Sequence, residues 1–247
     1  MLVFLLACVV SFVPSVALFL WLRNRLKDEE GYRKLCNQTL VRGVLSVLPV
    51  LLLSGVSYFI VRLTRVHQTN PLLYEAVYTF IVLALMEEIA KFLAFRHVLK
   101  KTDYAYSWLD AAVLMTIIGL GFGMLESGVY AIGANVPVVL VRGICVPHAG
   151  YGFVTGYFYG KGSRNGKPAV KWAGFLLSWL MHGLYDFSLS EEFIQLNDNL
   201  VAVALLLAVM DIVLVLLLIR FAKRVRTQAL YNEPLPEADI RSGEKGV

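Results

Sequence analysis

Apolar stretches long enough to cross a bilayer recur seven times along this 247-residue chain, at residues 2–22, 43–61, 72–99, 109–132, 138–160, 172–189 and 200–219. About 20 residues of helix span the ~30 Å hydrocarbon layer, whereas a membrane strand needs only about 9–11. Hydrocarbon offers no partner to backbone N–H and C=O groups, so a spanning segment must satisfy them within itself. Uninterrupted runs of this length therefore predict helices, and the expected fold is all-α, polytopic, with seven transmembrane helices. Composition agrees: 58% of residues are hydrophobic and only 17% charged, where soluble domains are roughly half apolar and a quarter charged. The first stretch has neither a basic leader nor a small-residue cleavage site, so it reads as a retained helix rather than a signal peptide.

Charge sorting orients the bundle. Of the 23 Lys and Arg residues, 19 fall in alternate links and in the tail after residue 219, against only Arg62 and Arg65 on the other side. Basic residues collect on cytoplasmic loops, which puts the N-terminus outside and the C-terminus in the cytoplasm. The same sorting accounts for the net charge of +5 without invoking nucleic acid. The short links predict one domain, residues 1–220, with a polar tail at 221–247 that is partly disordered. Residues 23–42 read as a basic link. Cys8, Cys36 and Cys145 form no CxxC pair and carry no disulfide framework.

The informative residues are ionisable groups inside apolar spans, where a charge costs about 2.5–3.5 kcal/mol on insertion scales and usually marks function. Glu87, Glu88 and Lys91 lie in the third span, Glu126 in the fourth, Arg142 and His148 in the fifth, His182 and Asp186 in the sixth, and Asp211 in the seventh. Glu87 and Lys91 are four apart and share a helix face, while Glu88 stands three from the lysine. His182 and Asp186 are also four apart, so the carboxylate can fix the imidazole tautomer. Glycines flank Glu126 and crowd the fifth span, permitting close helix approach. Polar side chains can simply hold helices together, and Asp211, without a patterned partner, is read as such glue or as an interfacial group. Three glutamates, two imidazoles and a lysine from four successive helices are an expensive way to do only that.

No Gly-x-Ser-x-Gly, His-Glu-x-x-His or membrane Gly-x-Asp pattern is present. What remains is carboxylate and imidazole, able to activate a water and protonate an amine leaving group. The same set could hold Zn²⁺ through His148, His182 and Glu126 or Glu88. Two rivals use the same residues: a proton or ion relay in a transporter, and a catalytically inactive assembly factor that binds membrane helices.

Four motifs, Glu87-Glu88-x-x-Lys91, Phe122-Gly123-x-x-Glu126, Pro147-His148 with Gly156-Tyr157-x-x-Gly160, and His182-x-x-x-Asp186, resemble in order and content the PrsW family, part of the larger group of CAAX-type membrane proteases. The resemblance covers residues 84–190. It implies an intramembrane endopeptidase of the bacterial cytoplasmic membrane that cuts a single-span, membrane-anchored protein. By analogy with the type member, that substrate is an anti-sigma factor cut on its extracytoplasmic side to start a stress response. It implies catalytic roles for Glu87, Glu88, Glu126, His148 and His182, with Lys91, Arg142 and Asp186 in support, and leaves open whether a metal takes part. Ser127 departs from the Asn expected after Glu126. Because Glu87 has the better spacing to Lys91, Glu88 is the expected base for water. One tension stands: counted at ~1.5 Å per residue from residue 72, Glu87 lies about 22 Å in from the outer face, too deep to meet the other groups. A third helix that enters later, nearer Val77, or tilts, would close the gap.

Overall fold

The computed structural model of the chain describes residues 2–25, 30–64, 70–101, 108–133, 146–195 and 201–230, and among these there is no strand. The helices are α1 (Leu2–Arg25), α2 (Glu30–Leu45), α3 (Val47–Thr64), α4 (Pro71–Val77), α5 (Leu85–Lys101), α6 (Trp108–Gly133), α7 (Pro147–Arg164), α8 (Pro168–Ser188), α9 (Glu191–Ile194) and α10 (Val201–Leu230). Wide π-helical turns at Tyr78–Ala84 join α4 to α5 into one continuous rod.

The organising element is α6. Residues 109–122 are buried without a break, as expected of a helix that is apolar on all sides. Helices α1, α2, α5 and α7 pack around it. Its tightest partner is α7, which presents Gly152, Gly156 and Gly160 four residues apart. A Cβ at those positions would stand 2.4, 2.4 and 2.1 Å from the backbone oxygens of Met115, Ala111 and Trp108. Backbone therefore meets backbone, the arrangement that small residues allow between membrane helices. The outer faces remain apolar: Leu52 is 73%, Leu206 68% and Phe59 64% exposed. Exposed apolar surface of this extent belongs against lipid. Among the described residues two runs, Glu30–Ile60 and Trp108–Val129, are long and apolar enough to cross a membrane by length and composition.

Several sequence-based boundaries move. Most of the link expected at residues 23–42 is helical, because α2 sorts its residues by side. Tyr32, Leu35, Cys36, Thr39 and Gly43 are buried, while Lys34 and Arg42 are exposed. The fifth helix begins at Pro147 rather than residue 138. Proline at the first helical position loses no hydrogen bond and arrives with helical φ. Residues 134–145, and Arg142 among them, lie outside the described residues. Val146, just ahead of the proline, has φ +48°, ψ +47°, a left-handed conformation that costs a β-branched residue about 1–3 kcal/mol. Helix α10 runs to Leu230, ten residues past the expected start of the polar tail; the rest of that tail lies outside the described residues.

Candidate active site

The rod formed by α4, the π turns and α5 starts cleanly. Asn70 Oδ1 accepts from Leu73 N at 3.1 Å and Pro71 takes the first turn. Within the π turns, the Phe80 carbonyl receives the indole N–H of Trp179 at 2.7 Å. Gly183 leaves room for the Phe80 ring, since a Cβ there would lie 2.4 Å from it. These contacts lock the rod onto α8 immediately before the acidic pair. Glu87 then stands beside His182, so the depth mismatch expected from counting regular α-helical turns is absent. The wide turns and their anchor on α8 set where the pair sits.

Glu87, Glu88 and Lys91 of α5, Glu126 of α6, His148 of α7 and His182 of α8 converge, and all six are buried. Lys91 Nζ donates to Glu88 Oε1 at 2.6 Å and to His148 Nδ1 at 3.0 Å. It lies 4.5 Å from the centre of the Phe122 ring. Glu87 Oε2 is 4.0 Å from the same nitrogen. The lysine thus belongs to Glu88, not to Glu87 as helical spacing suggested. Both carboxylates share its face, and the decision falls to His182, whose Nδ1–H donates to the same Glu88 oxygen at 2.9 Å. His148 Nε2 hydrogen-bonds Glu126 Oε2. His182 Nε2 faces Asp186 Oδ2 at 3.1 Å and Glu87 Oε2 at 3.5 Å. A network of charge-assisted contacts therefore runs from Glu126 to Asp186 across four helices.

Two features fit a metal ion. Glu87, His148 and His182 each offer a ligand atom, and these atoms lie within 4.8 Å of one another. Glu87 Oε2, Glu88 Oε2 and His182 Nε2 are buried without an aligned hydrogen-bond partner, and an unsatisfied buried polar atom is costly. Two imidazoles and a carboxylate suit Zn²⁺, which leaves a fourth position for water in catalytic sites. The carboxylate in this set is Glu87, where the sequence suggested Glu126 or Glu88. Glu126 bonds His148, and Glu88 bonds Lys91 and His182 through Oε1 while its Oε2 stays unpartnered.

This arrangement of motifs has counterparts. The chain matches, over residues 32–218, the family described as PrsW family intramembrane metalloprotease. The chain belongs to the PrsW family. Similar proteins named Protease PrsW include that of Halalkalibacterium halodurans, 30% identical over 71% of this chain and 80% of its own length. That of Oceanobacillus iheyensis is 26% identical over 71% and 79%, and that of Clostridioides difficile 26% over 74% and 79%. No solved structure matches the chain. As a PrsW-family member the chain is an intramembrane protease, and its partners are a membrane protein substrate and the bilayer.

Some site residues escaped the sequence reading. Tyr151 stacks on His182, with ring centres 5.0 Å apart and planes 22° from parallel. Its hydroxyl donates to Asp211 Oδ2 at 3.1 Å. Asp211 is fully buried, hence not an interfacial group, and reaches the site through the tyrosine. Tyr151 stands three residues after His148, on the same face of α7, and that spacing was the available signal. Gly119 packs against the His148 backbone. Ser127, with Ser15, Glu126 and His148, lines a narrow pocket. Tyr151→Phe strands a buried Asp211 oxygen and is expected to cost about 1–3 kcal/mol, measured as a lowered unfolding midpoint in detergent. Cleavage falls severalfold as His182 loses its fixed backing, and an unchanged midpoint would show that the Asp211 contact is dispensable.

Proposed function

We propose that this protease hydrolyses a peptide bond near the outer face of a single-span, anti-sigma-factor-like membrane protein. It would do so from a seven-helix domain, residues 1–220, in the bacterial cytoplasmic membrane, N-terminus outside and C-terminus cytoplasmic. The observation that carries the chemistry is the buried meeting of Glu87, His148 and His182 within 4.8 Å. These three would hold a divalent metal, which when bound supplies Lewis-acid polarisation of the scissile carbonyl and of a water.

The remaining roles belong to the chain's own groups. Glu88 is pinned at Oε1 by Lys91 and His182, and its buried Oε2 has no partner. That oxygen takes the proton of the attacking water and returns it to the amine leaving group. Lys91 pairs with Glu88 rather than with Glu87, and what suits Glu88 to the base role is its fixed orientation with one oxygen spare. Glu126 holds His148 at Nε2 and Glu88 holds His182 at Nδ1, as carboxylates commonly orient ligating imidazoles, while Asp186 borders His182 Nε2 from the next turn. Lys91 offsets part of the negative charge of four neighbouring carboxylates.

The test is cleavage of a reporter with an anti-sigma-factor-like transmembrane segment by purified protein in detergent. Treatment with a zinc chelator is expected to abolish cleavage, and added Zn²⁺ to restore it. His182→Ala is expected to lose cleavage by at least 10²-fold with no rescue by zinc. Chelator-resistant cleavage would overturn the metal assignment, and a reporter cut equally well by His182→Ala would overturn the site.

A further inference from the structure

A second polar cluster, carrying the cations Arg42 and Lys101, lies away from His148 and His182, between α2 and α5. Asn37, Gln38, Arg42, His97 and Lys101 line an open pocket of about 540 Å³, and among the described residues no Asp or Glu lines it. His97 is half-buried, and its Nε2 is shielded without a hydrogen-bond partner. Basic groups gathered in a concavity repel one another and focus positive potential, which an anion relieves. The pocket also opens onto a strip of exposed apolar side chains. Val41 and Leu45, both in its wall, continue into Leu48 and Leu52. The four are 46–73% exposed and recur at intervals of four, three and four along one helical face. A free phosphate has no use for such a strip, but a hydrocarbon chain does.

We propose that this pocket binds the phosphate headgroup of an anionic phospholipid, with an acyl chain along Val41, Leu45, Leu48 and Leu52. Basic pockets between helices on the cytoplasmic side suit such headgroups. The proposal rests on the membrane orientation given above and not on the catalytic mechanism. Occupancy would tie α2 to the end of α5. Leu35 and Val98, which line the pocket, also pack in one core with Phe95, Met115 and Ile118, so the bound lipid would steady the helix that carries Glu87, Glu88 and Lys91.

The experiment measures lipid binding to the full chain by native mass spectrometry from detergent, with phosphatidylglycerol, phosphatidylcholine and inorganic phosphate as separate probes. Phosphatidylglycerol is expected to bind at least tenfold more tightly than the other two. Arg42→Gln and Lys101→Gln should each weaken it about fivefold, as expected for one cation near a headgroup. Arg42→Lys should keep most of the binding, which separates a lost charge from a lost fold. Lys167→Gln, an equal charge change on the α7–α8 turn, should leave it unaltered. Equal binding of phosphatidylcholine, equal weakening by Lys167→Gln, or inorganic phosphate binding as tightly as the lipid would each overturn the assignment.

Discussion

Glu88→Gln is expected to remove both cleavage and a large part of the stability, and Glu88→Gln with Lys91→Met to restore only the stability. The reason is that Glu88 has two jobs. It is the buried partner of an almost fully buried lysine at 2.6 Å, and breaking such a pair from one side costs about 3–5 kcal/mol because a charge is left behind. Removing both charges leaves an apolar replacement under the Phe122 ring, which is often neutral. The proton-carrying oxygen stays missing, so cleavage remains down by about 10²–10⁴-fold. Glu87→Gln makes the contrast. Its oxygen is 4.0 Å from Lys91, so stability should change little while cleavage and zinc retention are lost. Unfolding midpoints, reporter cleavage and metal content read the three effects separately. A double variant as unstable as Glu88→Gln would mean that the Glu88–Lys91 pair is not what Glu88 protects, and near-normal cleavage by Glu88→Gln would remove it from the reaction.

Adding a single methyl group at Gly119 should damage the site without touching an ionisable residue. Its Cβ would stand 2.0 Å from the His148 backbone oxygen and 2.7 Å from the adjoining carbon. Both sides of that contact are helix backbone, so the helices must separate. Overpacking of this kind costs about 1–3 kcal/mol or more. A displacement of ~1 Å at a catalytic group can cost about 10²-fold in rate. Gly119→Ala is therefore expected to lose cleavage by roughly that factor and to lower the unfolding midpoint. Gly55→Ala is the control, since nothing lies within 4 Å of its added carbon, and it should gain slightly through helix propensity. If Gly119→Ala cleaves normally, the close α6–α7 crossing does not position His148.

The residues that carry charge inside apolar stretches were legible because nothing else explains them there. Glu87, Glu88, Lys91, Glu126, His148, His182 and Asp186 all stood out, and the structure brings them together. Pairing within the group was not legible. Residues three and four apart share a helix face, and the choice between Glu87 and Glu88 depends on His182, 91 positions beyond the lysine. Helix α2 was hidden for the opposite reason: its Lys and Arg look like a link until its buried stripe is counted. The start of α7 was hidden by the apolar residues before Pro147, which prolong the hydropathy pattern beyond the helix. The pairing of Tyr151 with Asp211 was not legible, since the carboxylate stands 60 positions beyond the hydroxyl.

The burial of the site has a kinetic meaning. His182 and Glu88 are wholly inaccessible and the other four core residues nearly so. Among the described residues, the lining of the narrow pocket beside Glu126 and His148 does not include Glu87, Glu88 or His182. Hydrolysis needs these groups to meet a substrate, so turnover is expected to scale with the fraction of time the helices stand apart. A small inhibitor designed to grip the two imidazoles meets the same arithmetic: its apparent affinity falls in proportion to the population of the open form. Tight-binding compounds should accordingly come from those that hold the bundle open, rather than from those with the strongest grip on the histidines.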